Sequence, residues 1–320
     1  MDALAENETA FTKNPKVAFW FSGSAAGATQ ALAQLSQRHP VVADFVAELN
    51  QRLSQFSLSE DWKKIVGESE FDKDAVDSDV ASFKLQASLV KLWQHFGVEP
   101  DCVAGTGVGQ YLAACSAGGL CFLEAATLVA AREAILKKKN ADATDEETTR
   151  MLDVFEAYAD TLNFYPPNRT LICSVSGTEV PVYKSLGGSY WRDHCLHGCG
   201  KNDTERTLAA IGEIESHFVL AVSPTSVENN ELSSELPSGA TILRSDCESQ
   251  SINSDILAFA AVLFSGGAQL SLNNIFDSQR RTKVTLPAYP FDKKRYWITE
   301  IPQHSPPPPK SRKPKTVLPS

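Results

Sequence analysis

The sequence predicts an α/β fold with a mainly parallel sheet, and three observations carry that expectation. Short apolar runs alternate along the chain with longer stretches of helical periodicity. Two of the short runs, Lys16–Phe21 and the one around Val103-Ala104, end in glycine-rich corners that lead into helical stretches. The 320 residues, 42% of them hydrophobic, suffice to bury one large or two modest domains. Ligands in such sheets gather at the carboxyl ends of the strands, where the corners at Gly23 and Gly107 lie.

In chain order, residues 1–14 are polar and read as a flexible N-terminus. The first strand, Lys16–Phe21, ends in Ser22-Gly23-Ser24. Helical periodicity follows over Ala31–Leu35 and over Val42-Phe45-Val46-Leu49-Leu53. The acidic segment Glu68–Asp79 reads as an exposed loop, and a helix from Val80 carries Phe83, Leu85, Leu89, Leu92 and Trp93. Gly97–Asp101 ends it and leads into the central strand at Val103. Gly105-Thr106-Gly107-Val108-Gly109-Gln110 then has the layout of a nucleophile elbow, in which the apex residue projects from a sharp strand-to-helix turn. The apex is Gly107, which has no side chain to attack with. Tyr111–Ala117 and Phe122–Lys139 read as helices, Asn140–Arg150 as a solvated connection and Met151–Leu162 as a short amphipathic helix. Leu171–Val175 is a strand, Tyr190-Trp191 an aromatic pair, and Arg206–Glu215 a helix. A strand at His217–Val222 and a helix at Ile256–Ser265 complete a core spanning 15–282. Residues 283–300 hold two prolines and four aromatics and read as an extended strap. Residues 301–320 form a Pro/Lys-rich linker.

The formal net charge of −9 argues against nucleic acid as the main partner. No apolar run reaches membrane-spanning length, and no signal peptide is expected. Seven cysteines without a repeated spacing point to a reducing, cytoplasmic setting.

Together these pieces resemble the acyltransferase domain of modular polyketide synthases over about residues 15–300. Matches occur at Phe21–Ser24, at Leu92-Trp93 with Gly97–Pro100, at Gly105–Gln110, and at Arg132. They continue through Cys173–Gly177, Tyr190–His194 and Ala221–Pro224 to a linker from Leu286 to Trp297 that includes Pro287, Tyr289, Phe291 and Tyr296. The resemblance implies an α/β-hydrolase-like core, a neighbouring-domain contact through that linker, and other polyketide synthase domains in the same polypeptide as partners. With Met1 so close to the first strand, we expect no ketosynthase ahead of this domain, and the tail is expected to lead to another domain.

The departures fall on the chemistry. The family's nucleophilic serine aligns with Gly107 and the histidine before it with Thr106. Its first-turn glutamine aligns with Ser24, its glutamate after the elbow with Gln110, and its late-strand glutamate with Ala221. The family also inserts a ferredoxin-like lid, with the general-base histidine just beyond it. The interval 133–170 contains no histidine and is too short for such a lid, which needs on the order of 60 residues for its two crossovers. Lid and base are therefore expected to be missing.

Other candidates are weaker. Thr106 is not at the apex, and Cys115 inside the elbow helix reads as a packed thiol. His194-Cys195-x-His197-x-Cys199 contains zinc-ligand types, but its spacing fits no common structural site. His39, His95 and His217 fall in surface or helix-end contexts. Arg132 leaves two readings open. It forms a structural ion pair or snorkels, or it makes a vestigial acyl or anion site with Gly23 and Ser24, facing the N–H groups of Val108 and Gly109. No metal or cofactor is expected. The expected role is that of a catalytically inactive scaffold or docking domain. The alternatives are a binding module for an acyl carrier protein or a trans-acting acyltransferase, a residual acyltransferase or hydrolase, and an unrelated α/β binding protein.

Overall fold

A computed structural model of the chain describes residues 14–23, 27–67, 78–141, 143–197, 200–214, 216–222, 241–244 and 252–276. The chain divides into two units, 1–279 and 280–320, and every described residue lies in the first. Ser24, residues 1–13, the strap with Leu286, Pro287, Tyr289, Phe291, Tyr296 and Trp297, and the 301–320 linker lie outside the described residues.

Strand β1 (Val17–Phe21) sits near the middle of a six-stranded sheet. It pairs in parallel with β2 (Cys102–Gly105) on one side and β5 (Phe218–Ala221) on the other, so that Phe19 faces both Val103 and Leu220. Outward from β2 lie β3 (Thr170–Cys173), parallel, and β4 (Thr178–Glu179), antiparallel. Outward from β5 lies β6 (Thr241–Arg244), parallel. The strand order is thus β4-β3-β2-β1-β5-β6. The expected mainly parallel α/β sheet is what forms.

The pleat sends alternate β1 residues to opposite faces. Val17, Phe19 and Phe21 enter the large core, while Ala18 and Trp20 enter a small one completed by Leu208 and Ile211. The small core is covered by α9 (Lys201–Gly212). The large core packs against α1 (Ala28–Arg38), α2 (Pro40–Ser57), α3 (Glu60–Val66) and α4 (Asp79–His95). It also takes α5 (Val108–Ser116), α6 (Phe122–Ala141), α7 (Asp145–Ala159), α8 (Gly188–His197) and α10 (Ile252–Ser265), and a short α11 (Leu272–Phe276) follows. α4 packs against α1, α2, α5 and α6 together, which is why thirteen of its residues are buried and its apolar pattern is not one-sided.

Several expectations are corrected. Asn140–Arg150 is not a solvated connection: α6 runs to Ala141 and α7 begins at Asp145. A capping box sets that start, with the Thr144 hydroxyl accepting from Glu147 N while the Glu147 carboxylate accepts from Thr144 N. Glu60–Val66 forms a helix because Ser59 caps it, accepting from Trp62 N at 3.1 Å. Asp79 is not loop but the first residue of α4, capped by Ser78. The Leu171–Val175 strand stops at Cys173 and turns over 174–177 into β4. The aromatic pair Tyr190-Trp191 belongs to α8. His39 does lie at a helix end, as the C-cap of α1 and N-cap of α2, and is buried there with its Nε2 3.1 Å from the Asn253 amide oxygen. Between Arg132 and the start of β3 at Thr170 the described residues form the rest of α6, α7 and an irregular segment, with no strand.

Candidate functional site

The elbow is present in the backbone. Gly107 has φ 55° and ψ −123° and stands between β2 and α5 as the N-cap of that helix. A side chain is rarely tolerated at this φ. Space is just as restrictive beside it. A Cβ on Gly109 would lie 2.2 Å from the Phe21 carbonyl oxygen, and one on Gly105 would lie 2.4 Å from the Gly109 oxygen. β1 and α5 therefore approach closely, and the Thr106 N–H donates to the Phe21 oxygen at 3.2 Å. Thr106 is 4% exposed and Val108 fully buried, so neither neighbour of the apex presents a group to solvent.

The fold brings the first corner to the elbow. A Cβ built on Gly23 would sit 3.9 Å from the Gly107 Cα and 3.5 Å from the Thr106 oxygen. Gln86 of α4 supports that corner by donating through Nε2 to the Ser22 carbonyl at 3.2 Å. Gln110, one turn into α5, is fully buried and accepts from the Ser174 N–H through Oε1 at 3.1 Å. It ties the elbow helix to the end of β3. Its Nε2 and the Gln86 Oε1 have no hydrogen-bond partner among the described residues.

Arg132 is placed on α6, 4% exposed, with its guanidinium donating to the Asp79 carboxylate. The carboxylate of the next residue, Glu133, accepts from Val80 N at 3.0 Å, so adjacent α6 side chains hold the start of α4. Burial pushes the Asp79 carboxyl above its usual range, and the Arg132 charge pulls it back. The charge of Arg132 thus has a counter-ion within the chain, and an added anion would compete with it. Asp79 is the partner that sequence reasoning missed, although a Ser-Asp pair ahead of an apolar run is a helix-start signal.

His194 also comes to this part of the fold. It is fully buried, stacked on Tyr190 and edge-on to Tyr111 and Trp191, while Tyr111 stacks on Trp191 with ring centroids 4.2 Å apart. Neither ring nitrogen has a partner among the described residues. Burial, aided by the Arg132 charge, holds its pKa down to about 3. The imidazole is therefore neutral and enclosed rather than displayed. Cys195 and His197 share α8 with it, and Cys199 lies outside the described residues. No group of three or more His, Cys, Asp or Glu able to hold a metal occurs among the described residues. Cys115 is buried, and burial raises its thiol well above the usual range, as suits a packed residue. No described helix is long and apolar enough to cross a membrane.

No protein-family profile matches the chain. A segment is 35% identical over 127 residues to the spectinabilin polyketide synthase system protein NorA of Streptomyces orinoci, covering 38% of this chain and 6% of that protein. A longer match, 23% identical over 287 residues, is to the phenolphthiocerol synthesis polyketide synthase Pks15/1 of Mycobacterium marinum, covering 69% of this chain and 13% of that one. The chain thus spans only a small fraction of these relatives. Among solved structures, the acyl transferase domain of ZmaA superposes with a TM-score of 0.67 at 14% identity, covering 86% of this chain and 80% of that one. The acyltransferase domain from the second module of the salinomycin polyketide synthase gives 0.65 at 18% identity, covering 87% and 80%. The chain therefore has the fold of polyketide synthase acyltransferase domains and has sequence relatives among the polyketide synthases.

Proposed function

We propose that this domain is catalytically inactive and serves as a structural scaffold or docking domain for neighbouring polyketide synthase domains. The observation that carries the reading is the apex of the elbow: Gly107 keeps the turn and supplies no nucleophile. Nearby groups do not replace it. Thr106 is buried, Cys115 is buried with a raised thiol pKa, and His194 is enclosed by aromatic rings. Arg132, which by the family resemblance would receive an acyl carboxylate, is engaged by Asp79. An inactive core of this size still offers a folded surface, and the strap Leu286–Trp297 is the segment we assign to contact with a neighbour.

The catalytic half is tested by incubating the protein with malonyl-CoA or acetyl-CoA and recording intact mass. No acyl adduct is expected, and a stoichiometric adduct at any residue would sink the reading in favour of a residual transferase. The docking half is tested by gel filtration with excised polyketide synthase domains. Co-elution with an adjacent domain supports the scaffold, whereas salt-sensitive co-elution with an acyl carrier protein alone favours the carrier-binding alternative.

A further inference from the structure

Helix α5 carries the elbow at its N-terminus and ends in a turn with a thiol on either side. Cys115 lies in the last turn of α5, and Cys121 immediately precedes α6. The connection between them is a Schellman motif. Gly119 N donates to the Ala114 oxygen at 2.8 Å and Gly118 N to the Cys115 oxygen at 2.9 Å, while Gly118 takes the left-handed φ of 77°. Such a turn brings the chain back against the last turn of its own helix. Cys121 follows two residues later, and its carbonyl accepts from Ala125 N at 2.9 Å as α6 begins. Both cysteines line one cavity of about 530 Å3, and Lys91 lines it with them.

The two thiols differ in access. Among the described cysteines Cys121 alone is exposed, whereas Cys115 is buried with 6% of its surface open. Burial raises the Cys115 thiol well above its usual range, Cys121 adds to that rise, and Lys91 opposes it. Cys121 and the Lys91 ammonium therefore both lie near enough to act on the Cys115 sulfur. An exposed thiol meets an oxidant first, and a second thiol beside it resolves the adduct.

We propose that Cys121 and Cys115 form a redox modification site, at which a low-molecular-weight disulfide joins the two cysteines. The Cys121 thiolate attacks one sulfur of the small disulfide, and the other sulfur leaves as a thiolate. Cys115 then gives its proton to that thiolate and attacks the Cys121 sulfur, expelling the second small thiol. Two cysteine thiols are oxidised, one small disulfide is reduced to two thiols, and the two protons go with them. The bridge fastens the end of the elbow helix to the start of α6. It does not depend on whether the elbow is inactive.

The test treats the reduced full chain with oxidised glutathione in native buffer, blocks free thiols with iodoacetamide and maps tryptic peptides by mass. Cys102, Cys115 and Cys121 fall on one peptide, residues 92–132. That peptide is expected to lose two hydrogens, to carry an alkyl group on Cys102, and to give no backbone fragments between Cys115 and Cys121 until dithiothreitol is added. Circular dichroism should be unchanged by the oxidation. Cys115→Ser should stop at the glutathione adduct on Cys121, and Cys121→Ser should take up no glutathione on this peptide. Cys102→Ser should still form the bridge. In urea the wild-type pairing should scatter among the three cysteines, because the native turn no longer selects one pair. Where a serine variant does not fold, the alanine variant at the same position replaces it. Glutathione retained on Cys121 of the wild type without a bridge, a native bridge that includes Cys102, cross-linking only between chains, or a bridge that forms only with loss of the folded spectrum overturns the proposal.

Discussion

Gly107 meets two demands with one residue. Its φ of 55° would cost a side chain of order 1–3 kcal/mol, a strain that an enzyme with this elbow must carry to expose its nucleophile. Gly107→Ser should therefore lower unfolding stability by about 1–2 kcal/mol in urea titration and still yield no acyl adduct, since no described base is poised beside it. Gly109 is under a harsher constraint because the obstacle is the Phe21 backbone oxygen rather than a mobile side chain. Gly109→Ala should cost about 3 kcal/mol or prevent folding, which soluble yield and the urea midpoint will show. His194 makes stability depend on pH. Unfolded, it titrates near 6.5, and folded near about 3. As pH falls, the unfolded chain takes the proton first. The contribution is therefore complete above about 6.5 and drains away toward about 3, at about 1.4 kcal/mol per pH unit. The lowered pKa of His39 acts in the same direction. Between pH 7 and 5 the wild type should lose on the order of 2 kcal/mol more than His194→Phe. Equal losses in denaturant titrations would show that His194 is not the group responsible.

At the scale of elements, the join between α4 and α6 is the informative one. Arg132 and Glu133 reach residues 53 positions earlier, one by an ion pair and one by capping a backbone N–H. Arg132→Met alone should destabilise by about 2–3 kcal/mol, less than a fully buried pair because the Asp79 side chain remains 28% exposed. Asp79→Leu combined with Arg132→Met should recover most of that loss, because a desolvated pair contributes little net stability over apolar packing. If the double variant is no better than the single one, the pair is worth more than its desolvation, and the anion-site reading of Arg132 weakens further. Much of this level was legible in advance. The helices over Val42–Leu53, Phe83–Trp93 and Phe122–Lys139 follow from periodicity, and the elbow from its glycine spacing. α3 was not, because its seven residues are too short for a periodic signal and depend on the Ser59 cap. The start of α7 was hidden because an acidic first turn reads like a solvated loop until Thr144 and Glu147 are seen to cap each other.

Across the described residues, which all belong to the first unit, a mainly parallel sheet separates a thick helical layer from a thin one. β1 is buried along its whole length and bonded on both sides. Its amides, with those of β2 and β5, should exchange hydrogen only through global unfolding, and faster exchange there than in α9 would contradict the layering. The sequence by itself determined the alternation of strands and helices, the two glycine corners and the loss of a side chain at the apex. Each of these is written in residue type and local spacing, which do not need the rest of the chain. Only the tertiary structure decided that the Gly23 corner abuts the elbow, that Arg132 takes Asp79, that Gln110 reaches β3, and that His194 lies among Tyr111, Tyr190 and Trp191. Those outcomes depend on which distant segments the sheet order and helix packing bring within a few ångströms, and no local pattern carries that information.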